Sequence, residues 1–249
     1  MKTIYCGIVF LVLAALNSCE KFSTDDTPGN ISGMGNNKGK LKIKEPFYLP
    51  DGLILVEPIT EKAPDGILPR YGSGSVHLKI SILNYTDTAK TIFFPKGLLF
   101  ECNSPDNHNL MLLQTCWVCF KPNSRKTFIL DAYCVNAARK HPADPGITFE
   151  IPGITASQIM NNLTSLIGWR KINYEMTKGS SGSKTDIYLD VMQALRDLVW
   201  RITDQGLSVT DDDEAFINSI PGLSEQEIPR KNNKGQWPGY FDEYVIQSK

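Results

Sequence analysis

The spacing of apolar residues changes once along this chain, at the Pro-Gly pair 152–153. Before this pair, apolar residues alternate with polar ones in short runs, as in the strictly alternating segment 76–82. After it, apolar residues recur three and four positions apart, the period of a helix. The sequence therefore predicts a mainly β fold: a β-sandwich of the Ig-like class over residues 41–155, followed by a smaller helical segment over 156–249 that packs on it.

The predicted strands are short apolar runs separated by clusters of turn-forming residues. In segment 76–82 four side chains face one side of the strand: Val76, Leu78, Ile80 and Ile82. Further strands are predicted at 91–94, 98–100, 110–120, 126–130 and 147–151.

Three helices are predicted in the second region. Residues 155–158 form a capping box that opens the first helix. The second begins at Thr185 or Asp186 and carries a helical stripe of Ile187, Val191, Leu195, Leu198, Val199 and Ile202. Residues 210–213 begin a third, short helix.

The N-terminus has the pattern of a secretory leader. A lysine at position 2 precedes the apolar run 4–16, which is shorter than the roughly 20 apolar residues that span a bilayer. The run ends in Leu16-Asn17-Ser18-Cys19, which resembles the bacterial lipobox. The resemblance implies that residues 1–18 are a lipoprotein signal peptide and that Cys19, once lipidated with acyl chains such as palmitate, begins the mature protein. Several chains on one cysteine make a stable membrane anchor.

The segment that follows is similar to the acidic export tag of surface lipoproteins from the Bacteroidota. It spans residues 20–26, and Glu20 stands where retention in the inner membrane commonly uses Asp. The triplet Asp87-Thr88-Ala89 also matches the short O-glycosylation sequence of that phylum, which makes Thr88 a candidate acceptor. The chain thus resembles an outer-membrane lipoprotein of that phylum, on the periplasmic face or the cell surface. Residues 19–40, rich in Gly, Asn and Ser, are predicted to be a flexible tether.

The composition limits the classes of partner that the chain is expected to bind. With 41% hydrophobic and 21% charged residues and a net charge of −1, the chain has an ordinary globular composition. No basic run favours nucleic acid, and no second apolar segment is long enough to span a membrane. The sequence contains no motif for a metal or another cofactor, so none is expected.

Four cysteines remain after the leader and the lipidation site: Cys102, Cys116, Cys119 and Cys134. In an oxidising compartment one or two disulfides are plausible, and four cysteines allow three full pairings. Cys116 and Cys119 have the spacing of a redox dithiol, but they lie in a strand-like run. Residues three apart on a strand point to opposite faces, which disfavours a redox pair.

The other chemistry-bearing residues form no recognisable catalytic or metal motif. The acidic run 211–213 lacks the ligand spacing of an EF-hand and suits the first turn of a helix. The three histidines are scattered, and His77 is predicted to point away from the apolar face of its strand. His108 lies near Asp106 in a predicted loop, without a second histidine at ligand spacing. No catalytic residue is therefore assigned.

Two segments resemble the thioester domains of Gram-positive adhesins. Residues 133–136 contain an aromatic-Cys pair, and residues 191–203 contain a Gln and, later, a Trp in a predicted helix. By this resemblance Cys134 is the thiol and Gln193 the acyl donor of a buried thioester. The spacing departs from that family, because Ala194 follows Gln193 directly and Trp200 lies further on. In the alternative, Gln193 faces solvent on an amphipathic helix.

The sequence thus favours a lipid-anchored envelope protein that binds a protein or polysaccharide partner without catalysis. Three alternatives stay open: a hydrolase of envelope glycan or cell wall, a thioester-type covalent adhesin, and a fimbrial or assembly subunit. A pair of convergent carboxylates would favour the first. Contact between Cys134 and Gln193 would favour the second, and an exposed strand edge the third.

Overall fold

The computed structural model describes residues 26–141, 146–177, 184–225 and residue 228. The leader 1–18, Cys19 and the C-terminal residues 229–249 lie outside the described residues. The strands are β1 (Ile43–Pro46), β2 (Leu53–Leu55), β3 (Thr60–Glu61), β4 (Arg70–Gly72), β5 (Val76–Asn84), β6 (Lys90–Phe94), β7 (Leu98–Cys102), β8 (Leu110–Met111), β9 (Cys116–Phe120), β10 (Ser124–Cys134) and β11 (Phe149–Thr155). The helices are α1 (Gln158–Ile167), α2 (Tyr174–Thr177), α3 (Lys184–Thr203) and α4 (Asp211–Ser219).

The fold is mainly β, with one large curled sheet. Seven strands follow the order β1-β11-β7-β8-β10-β5-β2, while β3 pairs with β5 and β4 pairs with β10. Among the named strands, every pairing is antiparallel except that between β4 and β10. The sheet curls into a half-barrel, and the second sheet has only the strands β6 and β9. The Ig-like sandwich predicted from the sequence is not confirmed.

The longest pairing joins β5 to β10 and builds the centre of the sheet. It runs from Val76 opposite Ala132 to Asn84 opposite Ser124. The alternation predicted for segment 76–82 is confirmed, because its four apolar side chains are buried in one core cluster. Their partners on β10 in that core are Phe128, Leu130 and Ala132. The residues between them face the opposite side of the sheet.

The concave face of the sheet packs against the small sheet. Ile92 and Phe94 of β6 and Val118 of β9 are buried against the β5 and β10 side chains. The run 110–120 is therefore two strands, β8 in the large sheet and β9 in the small one. The other face is covered by helices, since Leu99, Met111 and Tyr133 pack with residues of α1, α3 and α4.

The helix start predicted from the sequence is confirmed for α4, whereas the capping box predicted over residues 155–158 does not form, because Thr155 ends β11 and α1 begins at Gln158. Ser157 is the N-cap of α1 and accepts a hydrogen bond from the Met160 amide. Thr210 is the N-cap of α4 and exchanges hydrogen bonds with Asp213 in a capping box. None of the helices in the described part is long and apolar enough to cross a membrane.

The prediction of a flexible tether over residues 19–40 is wrong for residues 26–40. Ile31 and Met34 are 3% and 1% exposed and belong to the core beneath the helices. The Gly35 amide donates to the Val135 carbonyl oxygen at 2.7 Å. At the start of this segment, the Asp26 carboxylate accepts hydrogen bonds from the Ser157 hydroxyl and the Gln158 amide, both at 2.7 Å. Glycine content reflects close packing here, because a Cβ at Gly35 would lie 1.9 Å from the Thr203 oxygen.

This packing predicts that Gly35→Ala destabilises the domain much more than Gly66→Ala. Both glycines have positive φ, so either change costs about 1 kcal/mol in backbone strain. Only Gly35 is packed, since nothing lies within 4 Å of a Cβ at Gly66. We expect Gly35→Ala to lower the free energy of unfolding by about 3 kcal/mol or more, measured by urea unfolding. Equal losses for both variants would mean that residues 26–40 do not pack on the domain.

Candidate functional site

The central polar feature of the structure is the carboxylate of Asp131 on β10. In the register of the sheet, Asp131 lies opposite His77 of β5 on one side and Gly72 of β4 on the other. Its side chain is 0% exposed. Because it alternates with Leu130 and Ala132, it lies on the helix-covered side of the sheet.

Three side chains from three different elements compensate this buried charge. Arg70 donates through Nε to Oδ2 at 2.5 Å, and the Tyr188 hydroxyl donates to the same oxygen at 3.2 Å. His77 Nδ1 lies 2.7 Å from Oδ1. An ionised carboxylate only accepts hydrogen bonds, so Nδ1 carries the proton and, in the neutral ring, Nε2 is the acceptor. A charge removed from water needs such partners, because an unpaired buried carboxylate is costly.

Two tyrosines enclose the guanidinium of Arg70. Its Cζ atom lies 4.2 Å from the ring centroid of Tyr174 and 5.6 Å from that of Tyr188. The two rings meet edge to face at 5.4 Å. Burial raises the pKa of Tyr188, and the neighbouring charge of Asp131 raises it further. This hydroxyl therefore stays protonated and donates to the carboxylate.

A second carboxyl group, that of Glu175 on α2, lies beside the first. It accepts hydrogen bonds from the Gly72 amide at 2.8 Å and from Asn173 Nδ2 at 3.3 Å. The carboxyl group itself is enclosed, although the residue keeps some exposed surface. Burial raises the pKa of Glu175 to about 8, and the charge of Asp131 contributes in the same direction. Of the two neighbouring groups, Glu175 thus holds its proton at neutral pH.

The three histidines, scattered in sequence, lie in one region of the structure. His141 Nδ1 is 3.3 Å from Glu61 Oε2, and its ring lies 6.1 Å from that of His108. Burial raises the pKa of Glu61, while the charges of His141 and His77 oppose that rise. Burial lowers the pKa of His108, whose Nε2 lies against the Arg139 carbonyl oxygen. Residues that can give and take protons are therefore gathered along this side of the sheet.

A cleft of about 870 Å³ is also present among the described residues. Its walls come from residues 35–40, 101–109 and 138–140. Four cations line it, namely Lys38, Lys40, Arg139 and Lys140, against the two carboxylates of Glu101 and Asp106. The cleft is therefore open and carries an excess of positive charge.

The cysteines predicted to form disulfides are free and buried: Cys102, Cys116, Cys119 and Cys134. Cys102 of β7 and Cys134 of β10 have β8 between their strands. Two interstrand spacings amount to about 9.5 Å, beyond the roughly 7 Å between Cα atoms that a disulfide spans. Cys116 and Cys119 are three residues apart on β9, and burial raises the pKa of Cys116. Disulfide pairing is thus a prediction that the structure does not bear out.

The thioester pair predicted from resemblance does not form. Gln193 is exposed on α3, whereas Cys134 is 1% exposed in the core. The side chain of α3 that reaches Cys134 is Trp200, whose Nε1 donates to the Cys134 carbonyl oxygen at 3.1 Å. Trp200 is half-buried on the core side of α3, whereas Gln193 lies two turns earlier, roughly 10 Å away along the helix axis, and is exposed.

The remaining predicted residues keep separate positions. Thr88 is exposed in the loop between β5 and β6, and its role as a glycan acceptor stays a prediction. Asp211 and Asp212 are exposed in the first turn of α4, and Asp213 pairs with Arg201. Within the described ranges, no group of three or more His, Cys, Asp and Glu side chains could hold a metal ion.

The polar cluster itself was missed in the sequence. Asp131 lies 61 residues from Arg70 and 54 from His77, so no short motif connects them. One signal was present: Asp131 interrupts an apolar run of β10, where a charged residue needs a partner. Comparisons of the chain with protein-family models, curated proteins and solved structures found no match.

The raised pKa of Glu175 predicts a pH-dependent stability that Glu175→Gln removes. Between pH 4.5 and about 8 the folded protein keeps a proton that the unfolded chain releases. The free energy of unfolding therefore falls as pH rises through this window. Glutamine cannot ionise, so we expect the variant to match the parent near pH 4.5 and to exceed it at pH 8 by on the order of 2 kcal/mol.

Urea unfolding at several pH values measures this difference. Glu45→Gln, at an exposed position on β1, is the matched control. Parallel pH profiles for the parent and Glu175→Gln would contradict the assignment.

Proposed function

We propose that this protein is a lipid-anchored component of the bacterial outer membrane that binds a partner without catalysis. The observation that carries the proposal is the open cleft lined by Lys38, Lys40, Arg139 and Lys140. Asp131 is enclosed and has three partners, which suits a structural role. The cleft, by contrast, has the size and openness that a ligand needs.

The placement of the anchor supports the same proposal. Asp26 is held at the N-terminus of α1, and residues 20–25 connect it to Cys19. Seven residues of fully extended chain reach at most about 25 Å. A lipid on Cys19 would therefore hold the domain close to the membrane surface. The segment after Asp26 leads to residues 35–40, which form one wall of the cleft.

The lipid anchor is tested by two serine variants of the full-length chain. We expect a palmitate analogue fed to expressing bacteria to label the parent and Cys6→Ser but not Cys19→Ser, because Cys6 lies in the leader. In-gel fluorescence measures the label. Label that persists in Cys19→Ser would contradict the anchor, and digestion of intact cells by added protease would place the domain on the outer surface.

A hydrolase is the second candidate, and His77 favours it. Asp131 orients this ring, and no described residue bonds to Nε2, the nitrogen that would act as base. The side chain is 22% exposed, so a substrate could reach it. Glu61, whose pKa is raised by burial, would be the corresponding acid.

The two candidates differ in their expected turnover. We expect the mature chain, with Cys19→Ser, to hydrolyse no ester, peptide or glycan substrate above the rate in buffer. His77→Gln tests any activity that is found, with Lys121→Gln at an exposed distant site as the control. Turnover lost only in His77→Gln would replace the binding proposal with the hydrolase.

A further inference from the structure

We propose that the basic cleft binds a phosphorylated saccharide, an inference that rests on the proposed binding function and names its ligand. The first ground is charge. None of the ion pairs among the described residues involves the four cations of the cleft, Lys38, Lys40, Arg139 and Lys140. Four cations around one opening that have no ion-pair partner among the described residues attract an anionic group, and both Lys and Arg are side chains that proteins use to bind phosphate.

The second ground is that the walls of the cleft are tied together. Arg139 donates to the Asn37 carbonyl oxygen at 3.1 Å, which joins the loop at 138–140 to the N-terminal segment. Below this contact, Asn136 donates to the carbonyl oxygens of Gly33 and Gly35 at 3.2 and 3.0 Å. Since the walls are held before a ligand arrives, binding costs little additional ordering.

The third ground is the mixture of groups around the cations. Glu101 and Asp106 offer carboxylate oxygens, and Asn36 carries a side-chain amide. Such groups bind alcohol hydroxyls, of which a sugar has several and inorganic phosphate has none. No aromatic side chain is among the described lining residues, so the cleft has no surface on which a nucleotide base would stack. A sugar that carries phosphate satisfies both sets of groups.

Calorimetry on the mature chain with Cys19→Ser tests the ligand class with glucose 1-phosphate, glucose and inorganic phosphate. We expect glucose 1-phosphate to bind more tightly than either of the other two. The triple variant Lys38→Gln/Lys40→Gln/Lys140→Gln should weaken this binding at least about tenfold. The control Lys44→Gln/Lys121→Gln, two exposed lysines outside the cleft, should leave it unchanged.

Three results would overturn the proposal. One is no binding of glucose 1-phosphate, and another is equal binding by the parent and the triple variant while both keep the same melting temperature. Phosphate that binds as tightly as glucose 1-phosphate would remove the saccharide from the assignment. The palmitate labelling of Cys19 does not depend on the cleft, so failure of the ligand assignment leaves the anchor intact.

Vesicles identify the source of the sugar phosphate. Cosedimentation with phosphatidylethanolamine vesicles that contain lipid A, a phosphorylated glycolipid, and not with vesicles that lack it, would support a membrane-borne ligand. Binding of glucose 1-phosphate without cosedimentation would support a free glycan. Cosedimentation that persists in the triple variant would overturn the cleft as the binding site.

Discussion

The burial of one carboxylate, that of Asp131, constrains where helix α3 lies on the sheet. A charge with no exposed surface is stable only when cationic and hydrogen-bonding partners surround it. Those partners come from β4, β5 and α3, so Arg70, His77 and Tyr188 must all arrive at one point. Displacing α3 along the sheet would take the Tyr188 hydroxyl away from Asp131 and the Tyr188 ring away from the Arg70 guanidinium. The polar cluster therefore favours one position of α3 on the sheet, where apolar contacts alone would permit several.

Local periodicity predicted the elements that carry this cluster, but not the cluster itself. The alternation in segment 76–82 correctly placed His77 on the side away from the apolar core, because successive side chains of a strand point to opposite faces. The capping residue Thr210 was predictable for the same local reason, while the box predicted at 155–158 missed the true cap, Ser157, by two positions. The partners of His77 depend on which strands become neighbours, and the parallel pairing of β4 with β10 has no local signature.

Composition misled at residues 26–40 for a physical reason. Glycine and asparagine are frequent both in flexible linkers and in segments where the backbone lies directly against another backbone. Gly33 and Gly35 belong to the second kind, since a Cβ on either would meet main-chain atoms within 3 Å. Ile31 and Met34 distinguish the two cases, because large apolar side chains are typical of a packed segment and not of a solvated linker. The apparent thioester motif failed for a different reason: Trp200 reaches Cys134, but Gln193 lies two turns earlier, roughly 10 Å away along the axis of α3.

The packing of residues 26–40 also determines how a pull on an N-terminal lipid anchor would act on the cleft. Asp26 holds the chain at the start of α1, and Gly29 and Gly35 bind the main chain of α3 and of the segment after β10. A pull on a lipid at Cys19 would act first on the Asp26 contacts, before it reached the cleft wall at 36–40. The Asp26 contacts thus separate the cleft wall from any force that such an anchor would transmit.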